Sequence, residues 1–185
     1  MSTRERSSGD TRTRIQQVAL DLFAERGYEK TALREIAEEL GVTKAALYYH
    51  FKTKEDIVRS IFTDSAEQID ELIEWAKTQP PGIETRREVV RRYAALMGSN
   101  HKLIRFMHEN QPGLRDLSIG ETMKNRMLGL FQVLSDDDAP LADQLRARLA
   151  VFSIGASFFA LRDKELSDEE LRQASLDVAL DLIRR

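Results

Sequence analysis

Residues 31–51 read TALREIAEELGVTKAALYYHF, and this stretch decides the fold. The apolar residues before Gly41 recur at helical spacing, at Leu33, Ile36, Ala37 and Leu40. They predict a short amphipathic helix that Thr31 caps and Gly41 ends. Thr43 can cap a second short helix over Lys44–His50. Two such helices across a tight turn indicate a helix-turn-helix, whose second helix enters the major groove of DNA.

A further helix is predicted before this pair, and it would cover the apolar sides of both. Its apolar stripe is formed by Ile15, Val18, Ala19, Leu22 and Phe23. Gly27 followed by Tyr28 is typical of a C-cap with its hydrophobic contact. Leu47 is the expected apolar anchor of the second helix of the pair, and Phe51 follows it. The segment Met1–Asp10 is rich in Ser, Thr and Arg, and we expect it to be flexible.

The rest of the chain also has helical periodicity, so the predicted fold class is all-α. Thr53 and Asp56 resemble a capping box that opens a long helix ending near Gln79. Further helices are predicted over 84–97, 102–110, 116–134, from Pro140 to about 161, and from the capping box of Ser167 and Glu170 to the C-terminus. We expect an N-terminal DNA-binding domain at residues 1–53 and a helical ligand-binding and dimerisation domain at 54–185.

Composition restricts the class of protein. The chain has 28 Lys and Arg against 31 Asp and Glu, which argues against an extended basic surface. However, Val42–Lys54 contains three lysines and no acidic residue, and this makes a local positive patch. Without cysteine there is no disulfide framework and no thiolate metal site. Because no apolar run reaches about 20 residues and the start lacks a signal peptide, we expect a cytoplasmic protein that does not bind membranes.

The second short helix carries side chains suited to DNA. The candidate DNA-binding residues are Thr43, Lys44, Ala45, Tyr48, Tyr49, His50 and Lys54. Thr43 and Lys44 can donate to phosphates or base edges, while Ala45 is small enough for a close backbone approach. Tyr48 and Tyr49 add hydroxyl donors and flat faces, although Tyr48 could instead pack in the core of a small head.

These residues carry a resemblance to a known family. The stretches FAERGY at 23–28, TALREIA at 31–37 and GVTKAALYYHFKTKE at 41–55 resemble the TetR family of repressors. The resemblance covers about residues 11–62, and it implies the same DNA contacts as those given above. Ala45 stands where many members have glycine, so its methyl either touches a thymine or displaces the backbone. For residues 63–185 the resemblance implies a fold and a dimer, but no ligand.

The tail contains a helix that is apolar almost all the way round. Its apolar residues are Leu149, Val151, Phe152, Ile154, Phe158, Phe159 and Leu161. Such a helix is buried on two sides, one against its own core and one against a second copy of the chain. Together with the last helix it predicts a four-helix contact in a homodimer. A central helix in a monomer is the alternative.

Soft and aromatic residues of the tail indicate a small-molecule pocket. The candidate ligand-binding residues are Met97, His101, Phe106, His108, Met127, Phe131 and Phe152. His101 and His108 could alternatively bind a metal, but their spacing of seven matches no usual pair, and Arg105 between them would repel a cation. We therefore expect no metal and no cofactor.

The sequence as a whole predicts a dimeric repressor that binds a palindromic operator and is released by a small, largely apolar ligand. The main alternative is a DNA-binding regulator switched by a protein partner, or not switched at all. An enzyme is not expected, because the sequence shows no nucleophile beside a base, no glycine-rich phosphate loop and no metal cluster.

Overall fold

A computed structural model of the chain describes residues 3–110, 119–161 and 163–183, with the side chains of all these residues except 3–9, 108, 119–122 and 158. Every regular element in these ranges is a helix, so the all-α prediction is confirmed. The helices are α1 (Thr3–Arg26), α2 (Leu33–Leu40), α3 (Lys44–His50), α4 (Lys54–Lys77), α5 (Ile83–Ser99), α6 (His101–Glu109), α7 (Ile119–Leu134), α8 (Leu141–Ala160) and α9 (Asp168–Leu182).

The chain divides into two compact units, one formed by Met1–Asp64 with Arg105–Ile119 and the other by Ser65–Ile104 with Gly120–Arg185. Helices α4 and α6 each contribute residues to both units. Each unit is a group of residues in mutual contact, and such a group need not be a domain that folds independently. The domain boundary between residues 53 and 54 therefore stays a prediction.

In the first unit, α1 packs on α2 and α2 packs on α3. The buried residues include most of the predicted stripe of α1, the inner face of α2 and the anchor of α3. They are Ile15, Ala19, Leu22, Phe23, Tyr28, Ile36, Ala37, Leu47, Phe51, Ile57, Val58, Ile61, Phe62 and Phe106. A buried hydrogen bond from the Gln16 side-chain amide to the Ser60 hydroxyl, at 2.9 Å, joins α1 to α4. The head therefore has an apolar core that contains a buried hydrogen bond.

The turn between α1 and α2 confirms one predicted cap and corrects another. Gly27 has a φ of 87° and its N–H donates to Phe23 O at 3.0 Å, as expected of a C-cap. Thr31, by contrast, is not the N-cap of α2. That position is Ala32, whose N–H donates to the Glu35 carboxylate at 2.7 Å. The Thr31 side chain is buried and donates to Gly27 O at 2.9 Å, because it faces the end of α1 rather than the start of α2.

Three other predicted caps are confirmed. Gly41 ends α2 in the left-handed conformation, with φ 67°. Thr53 and Asp56 exchange backbone and side-chain hydrogen bonds, each at 3.0 Å, and open α4. Ser167 and Glu170 do the same at the start of α9. Local side-chain chemistry thus sets these helix ends.

The first helix starts earlier than the apolar stripe suggested. It begins at Thr3, so the helix includes residues 3–10, for which the composition favoured a flexible segment. Whether residues 1–10 are flexible in solution stays a prediction. The start of the helix predicted over 116–134 lies outside the described residues, and the described part begins at Ile119.

In the second unit, α8 and α9 pack on each other and both pack on α5. The core is formed by apolar residues of α4, α5, α7, α8 and α9. Arg126 on α7 forms an ion pair with Asp70 on α4 at 2.7 Å, and its Nε donates to Ala66 O at 3.1 Å. Arg87 donates to Leu180 O at 3.1 Å and thereby satisfies an end carbonyl of α9. None of the described helices meets the length and apolarity that a membrane span requires.

Candidate functional site

The orientation of α3 is set by its first residue and by one buried side chain. The Thr43 hydroxyl accepts a hydrogen bond from Ala46 N at 3.2 Å, as predicted for the N-cap. Leu47 is fully buried. At about 100° per residue, the side of α3 opposite Leu47 carries Ala45 and Tyr49. Both are exposed, Tyr49 to 78%. An aromatic residue this exposed gains little from packing on its own chain and is free to contact a partner.

The flanks of this exposed side are lined by cationic and aromatic groups. The Lys44 ammonium lies 5.3 Å from the centre of the Tyr48 ring, which is half-buried. The Tyr49 and His50 rings meet edge to face at 5.2 Å. Tyr48 is thus half-buried and borders the exposed side, and its contact with DNA stays a prediction.

Lys54 has partners inside the head. Its ammonium donates to Tyr28 O at 2.7 Å and lies 4.5 Å from the centre of the Tyr28 ring. It also lies 3.4 Å from Glu29 O. An ammonium has three N–H donors, so a phosphate contact is compatible with these bonds. The sequence predicted only the outward role, because the partners of Lys54 lie about 25 residues before it.

Beside Lys54, Glu55 is tied to the same tyrosine. The Tyr28 hydroxyl donates to Glu55 Oε1 at 3.0 Å. The pKa of Glu55 is lowered mainly by a hydrogen bond from its own backbone N–H and further by the Tyr28 hydroxyl, against partial desolvation. Burial, and then the hydrogen bond to Glu55, raises the pKa of Tyr28. The ionised carboxylate and the protonated phenol are thus the stable pair at neutral pH.

Arg12 is a candidate that the sequence reasoning missed. Its guanidinium lies 4.8 Å from the centre of the Phe51 ring, at the residue that ends α3. The side chain is exposed, so it adds a cation next to the α3 surface. The available signal was the run of arginines at the start of α1, which continues through Arg12 beyond the segment Met1–Asp10 that is predicted to be flexible.

Three of the candidate ligand-binding residues belong to one core. Met97 and Phe131 are buried in the second unit, and Met127 packs against the same cluster. The structure adds Tyr93, which is only 6% exposed. Its hydroxyl lies 4.0 Å from the Met127 sulfur, and burial raises the pKa of Tyr93 to about 12. A thioether is a weak acceptor, so this phenol is a poorly satisfied polar group within an apolar region.

The other candidate ligand-binding residues lie elsewhere. Phe106 is in the first unit and packs against Phe23 and Tyr28. Phe152 is 55% exposed, and its ring lies 5.7 Å from that of Phe131. His101 Nδ1 donates to Gly98 O at 3.0 Å, and the ring lines a surface groove of 310 Å³. The side chain of His108 lies outside those described. Periodicity identified these residues as apolar or partly buried without identifying their neighbours.

The outer side of α8 carries an uncovered apolar face. It is formed by Leu141, Leu145, Leu149 and Phe152, which are between 44% and 82% exposed, and by Val178 on the neighbouring α9, which is 52% exposed. The inner side of α8 is buried through Val151 and Ile154. The sequence predicts a helix that is apolar on two sides, and in the single chain one of these sides of α8 is buried and the other is exposed. We refer to the five exposed residues as the α8 face.

Comparison with known proteins agrees with this architecture. Residues 15–61 match the family model of bacterial regulatory proteins, tetR family. The HTH-type transcriptional regulator AcrR of Shigella flexneri is 46% identical over 63 residues, which are 34% of this chain and 29% of AcrR. An HTH-type transcriptional regulator of Staphylococcus aureus strain MSSA476 is 25% identical over 95% of this chain and 96% of its own length.

Solved structures show the same fold over most of the chain. A TerR/AcrR family transcriptional regulator from Aquifex aeolicus has a TM-score of 0.72 at 19% identity, covering 90% of this chain and 96% of that one. The regulator FadR from Bacillus subtilis, solved in complex with stearoyl-CoA, has a TM-score of 0.63 at 22% identity, covering 91% and 97%. The helix-turn-helix head and the helical tail define a DNA-binding transcriptional regulator. Residues 15–61 thus match the tetR family, and most of the chain is similar to transcriptional regulators.

Proposed function

We propose that this regulator is a dimeric repressor that binds a palindromic operator and is released by a small, largely apolar molecule. It would act in the cytoplasm, where its DNA target lies. The observation that carries the proposal is the orientation of α3, because buried Leu47 turns Ala45 and Tyr49 outward with Lys44 on the flank. An exposed helix side with a cation, hydroxyl donors and a small residue suits the major groove.

The contacts divide by chemistry into two groups. Lys44, Ala45 and Tyr49 are the residues proposed to reach base edges, where the Ala45 methyl can contact a thymine. The residues proposed to hold phosphates are Thr43, Tyr48, His50 and Lys54, with Arg12 added by the structure. Phosphate contacts fix the register of the helix on DNA, and base contacts select the sequence.

The exposed α8 face supports the proposal that the protein is a dimer. Monomeric proteins rarely leave a contiguous row of large apolar side chains uncovered. A second copy that applies the same face would cover both rows in an isologous contact. Two linked heads then occupy two half-sites of one operator, which explains why the site would be palindromic.

Tyr93 supports the proposal that a small molecule binds in the core of the second unit. Among the described residues, the hydrogen-bond partner of this buried phenol is a thioether, so it forgoes most of the free energy of a hydrogen bond, about 0.5–1.5 kcal/mol. A largely apolar effector with one hydrogen-bond acceptor would satisfy it while packing on Met97, Met127 and Phe131. Stearoyl-CoA, the ligand in the Bacillus subtilis FadR complex, combines a long apolar chain with carbonyl groups. We propose for the present chain a small effector that resembles only the apolar acyl part of such a ligand, with one carbonyl acceptor.

DNA selection from a random-sequence pool with the wild-type protein tests the DNA-binding part. We expect a palindromic sequence to be enriched and Lys44→Ala to bind it at least about tenfold more weakly, because a base or phosphate contact is lost. Lys77→Ala is the matched control, since Lys77 is an exposed lysine of the second unit that pairs only with Glu74 among the ion pairs described. No enriched sequence, or equal losses in both variants, would contradict the assignment of α3.

A thermal-shift screen of apolar and aromatic compounds tests the effector, and Tyr93→Phe is the informative variant. This change keeps the ring and removes the hydroxyl, so the unliganded protein should be as stable as wild type and should bind DNA normally. A compound that raises the melting temperature and releases DNA should do both less effectively in the variant. If no compound in a broad screen shifts the melting temperature, a regulator that is switched by a protein partner, or not switched at all, becomes the better interpretation.

A further inference from the structure

Phe106 completes the core of the DNA-binding head from outside the matched family segment. It lies on α6, 45 residues after the end of that segment at residue 61, and only 2% of it is exposed. Its ring stacks on Phe23 at 5.5 Å and meets Tyr28 edge to face at 5.6 Å. Phe23 and Tyr28 meet each other at 5.0 Å. We call Phe23, Tyr28 and Phe106 the aromatic triad.

The triad fixes a tyrosine that holds the start of α4 at two points. The Tyr28 hydroxyl donates to Glu55, and the Tyr28 carbonyl accepts from the Lys54 ammonium. Lys54 and Glu55 are the first two residues of α4, and α3 ends only four residues earlier, at His50. A displacement of Tyr28 therefore displaces the first turn of α4, and with it the end of α3.

We propose that Phe106 is a positioning residue for DNA binding, which acts through Tyr28 to hold Lys54, Glu55 and α3 in the geometry that fits the operator. Edge-to-face and stacked rings have preferred orientations, which an aliphatic side chain of similar volume does not reproduce. Misplacement of a binding group by about 1 Å is enough to lose its contact. The head that binds DNA thus includes a residue of the tail.

The test compares Phe106→Leu with wild type in the full chain, using the DNA fragment that the wild-type protein selects from a random pool. We expect affinity to fall about tenfold, as for the loss of one DNA contact, with dimer mass and helix content unchanged. Hydrogen exchange of the backbone amides at residues 43–56 should become faster. Leu130→Ala is the control, because Leu130 is fully buried in the second unit. It should lower the melting temperature without either effect.

A double-mutant cycle distinguishes positioning from general destabilisation. Tyr28→Phe keeps the ring of the triad and removes the bond to Glu55. Tyr28→Phe leaves the bond from Lys54 to the Tyr28 carbonyl in place. If Phe106 acts through Tyr28, the double variant should lose clearly less affinity than the sum of the two single losses, because both changes weaken the hold of Tyr28 on α4. Additive losses would overturn the proposal. So would equal losses in Phe106→Leu and Leu130→Ala, or wild-type affinity and exchange in a folded Phe106→Leu protein.

Discussion

Leu145→Asp should dissociate the proposed dimer. Leu145 lies in the middle of the exposed row on α8 and is 55% exposed in the single chain. Complete burial of a leucine contributes roughly 1.5–3 kcal/mol, so covering its exposed half contributes about 1 kcal/mol or slightly more. An isologous interface contains the residue twice, which makes the loss about 2–3 kcal/mol.

The introduced charge adds to this loss. Two unpaired carboxylates would be desolvated in the same contact, and removing such charges from water costs several kcal/mol in total. A combined loss of at least about 4 kcal/mol corresponds to a roughly thousandfold weaker dimer. A protein that is dimeric at micromolar concentration should then be monomeric in sedimentation velocity, and it should lose tight binding to a two-half-site operator.

Leu128→Asp is the matched control for this prediction. Leu128 lies on α7 rather than on α8 or α9, and it is 48% exposed. The same substitution at nearly the same exposure should leave the mass and the operator affinity of the dimer unchanged. The reasoning is refuted if Leu145→Asp stays dimeric with an affinity within about tenfold of wild type, or if Leu128→Asp dissociates to the same extent.

Three further predictions test other parts of the molecule. Lys54→Ala should lower the slope of log affinity against log salt by about one unit, because one phosphate contact is lost. It should also lower the melting temperature, because the bond to Tyr28 O is lost. An unchanged slope would show that Lys54 does not contact a phosphate. Phe131→Trp should fill the proposed pocket, so that thermal shift and DNA release by an effector weaken together; an effector unaffected by this change binds elsewhere. Because the pKa of Glu55 is lowered, its ionised form stabilises the fold above the ordinary value of 4.5, and this contribution is lost as the pH falls through the lowered pKa. Between about pH 6 and 3, the melting temperature of Glu55→Gln should therefore fall less than that of wild type. An equal fall in both proteins would contradict the role of this carboxylate.

Helix ends and the orientation of α3 followed from the sequence because their causes are local. Thr43, Gly41 and the Thr53–Asp56 box each act within four residues, and periodicity identified Leu47 as the buried anchor. These signals depend on residue type and spacing alone. The exposed side of α3 could thus be predicted from the sequence.

The partners of residues distant in sequence could not be predicted in the same way. An apolar period shows that Phe106 is buried, but it does not show that Phe23 and Tyr28 are its neighbours. Lys54 illustrates the same limit, because its carbonyl partners come from the α1–α2 turn. The residue type of Phe106 is compatible with a ligand pocket, and only the tertiary contacts with Phe23 and Tyr28 relate it to the head.

The buried hydroxyl of Thr31 has a consequence for how this protein can vary in evolution. It donates to the carbonyls of Leu22 and Gly27, at 3.3 and 2.9 Å, and so links the end of α1 to the residue before the N-cap of α2. One inserted or deleted residue between Gly27 and Thr31 would separate this hydroxyl from both acceptors and leave it buried without a partner. Among homologues, we therefore expect this turn to keep a constant length, whereas the exposed residues 163–167 before α9 should accept insertions freely.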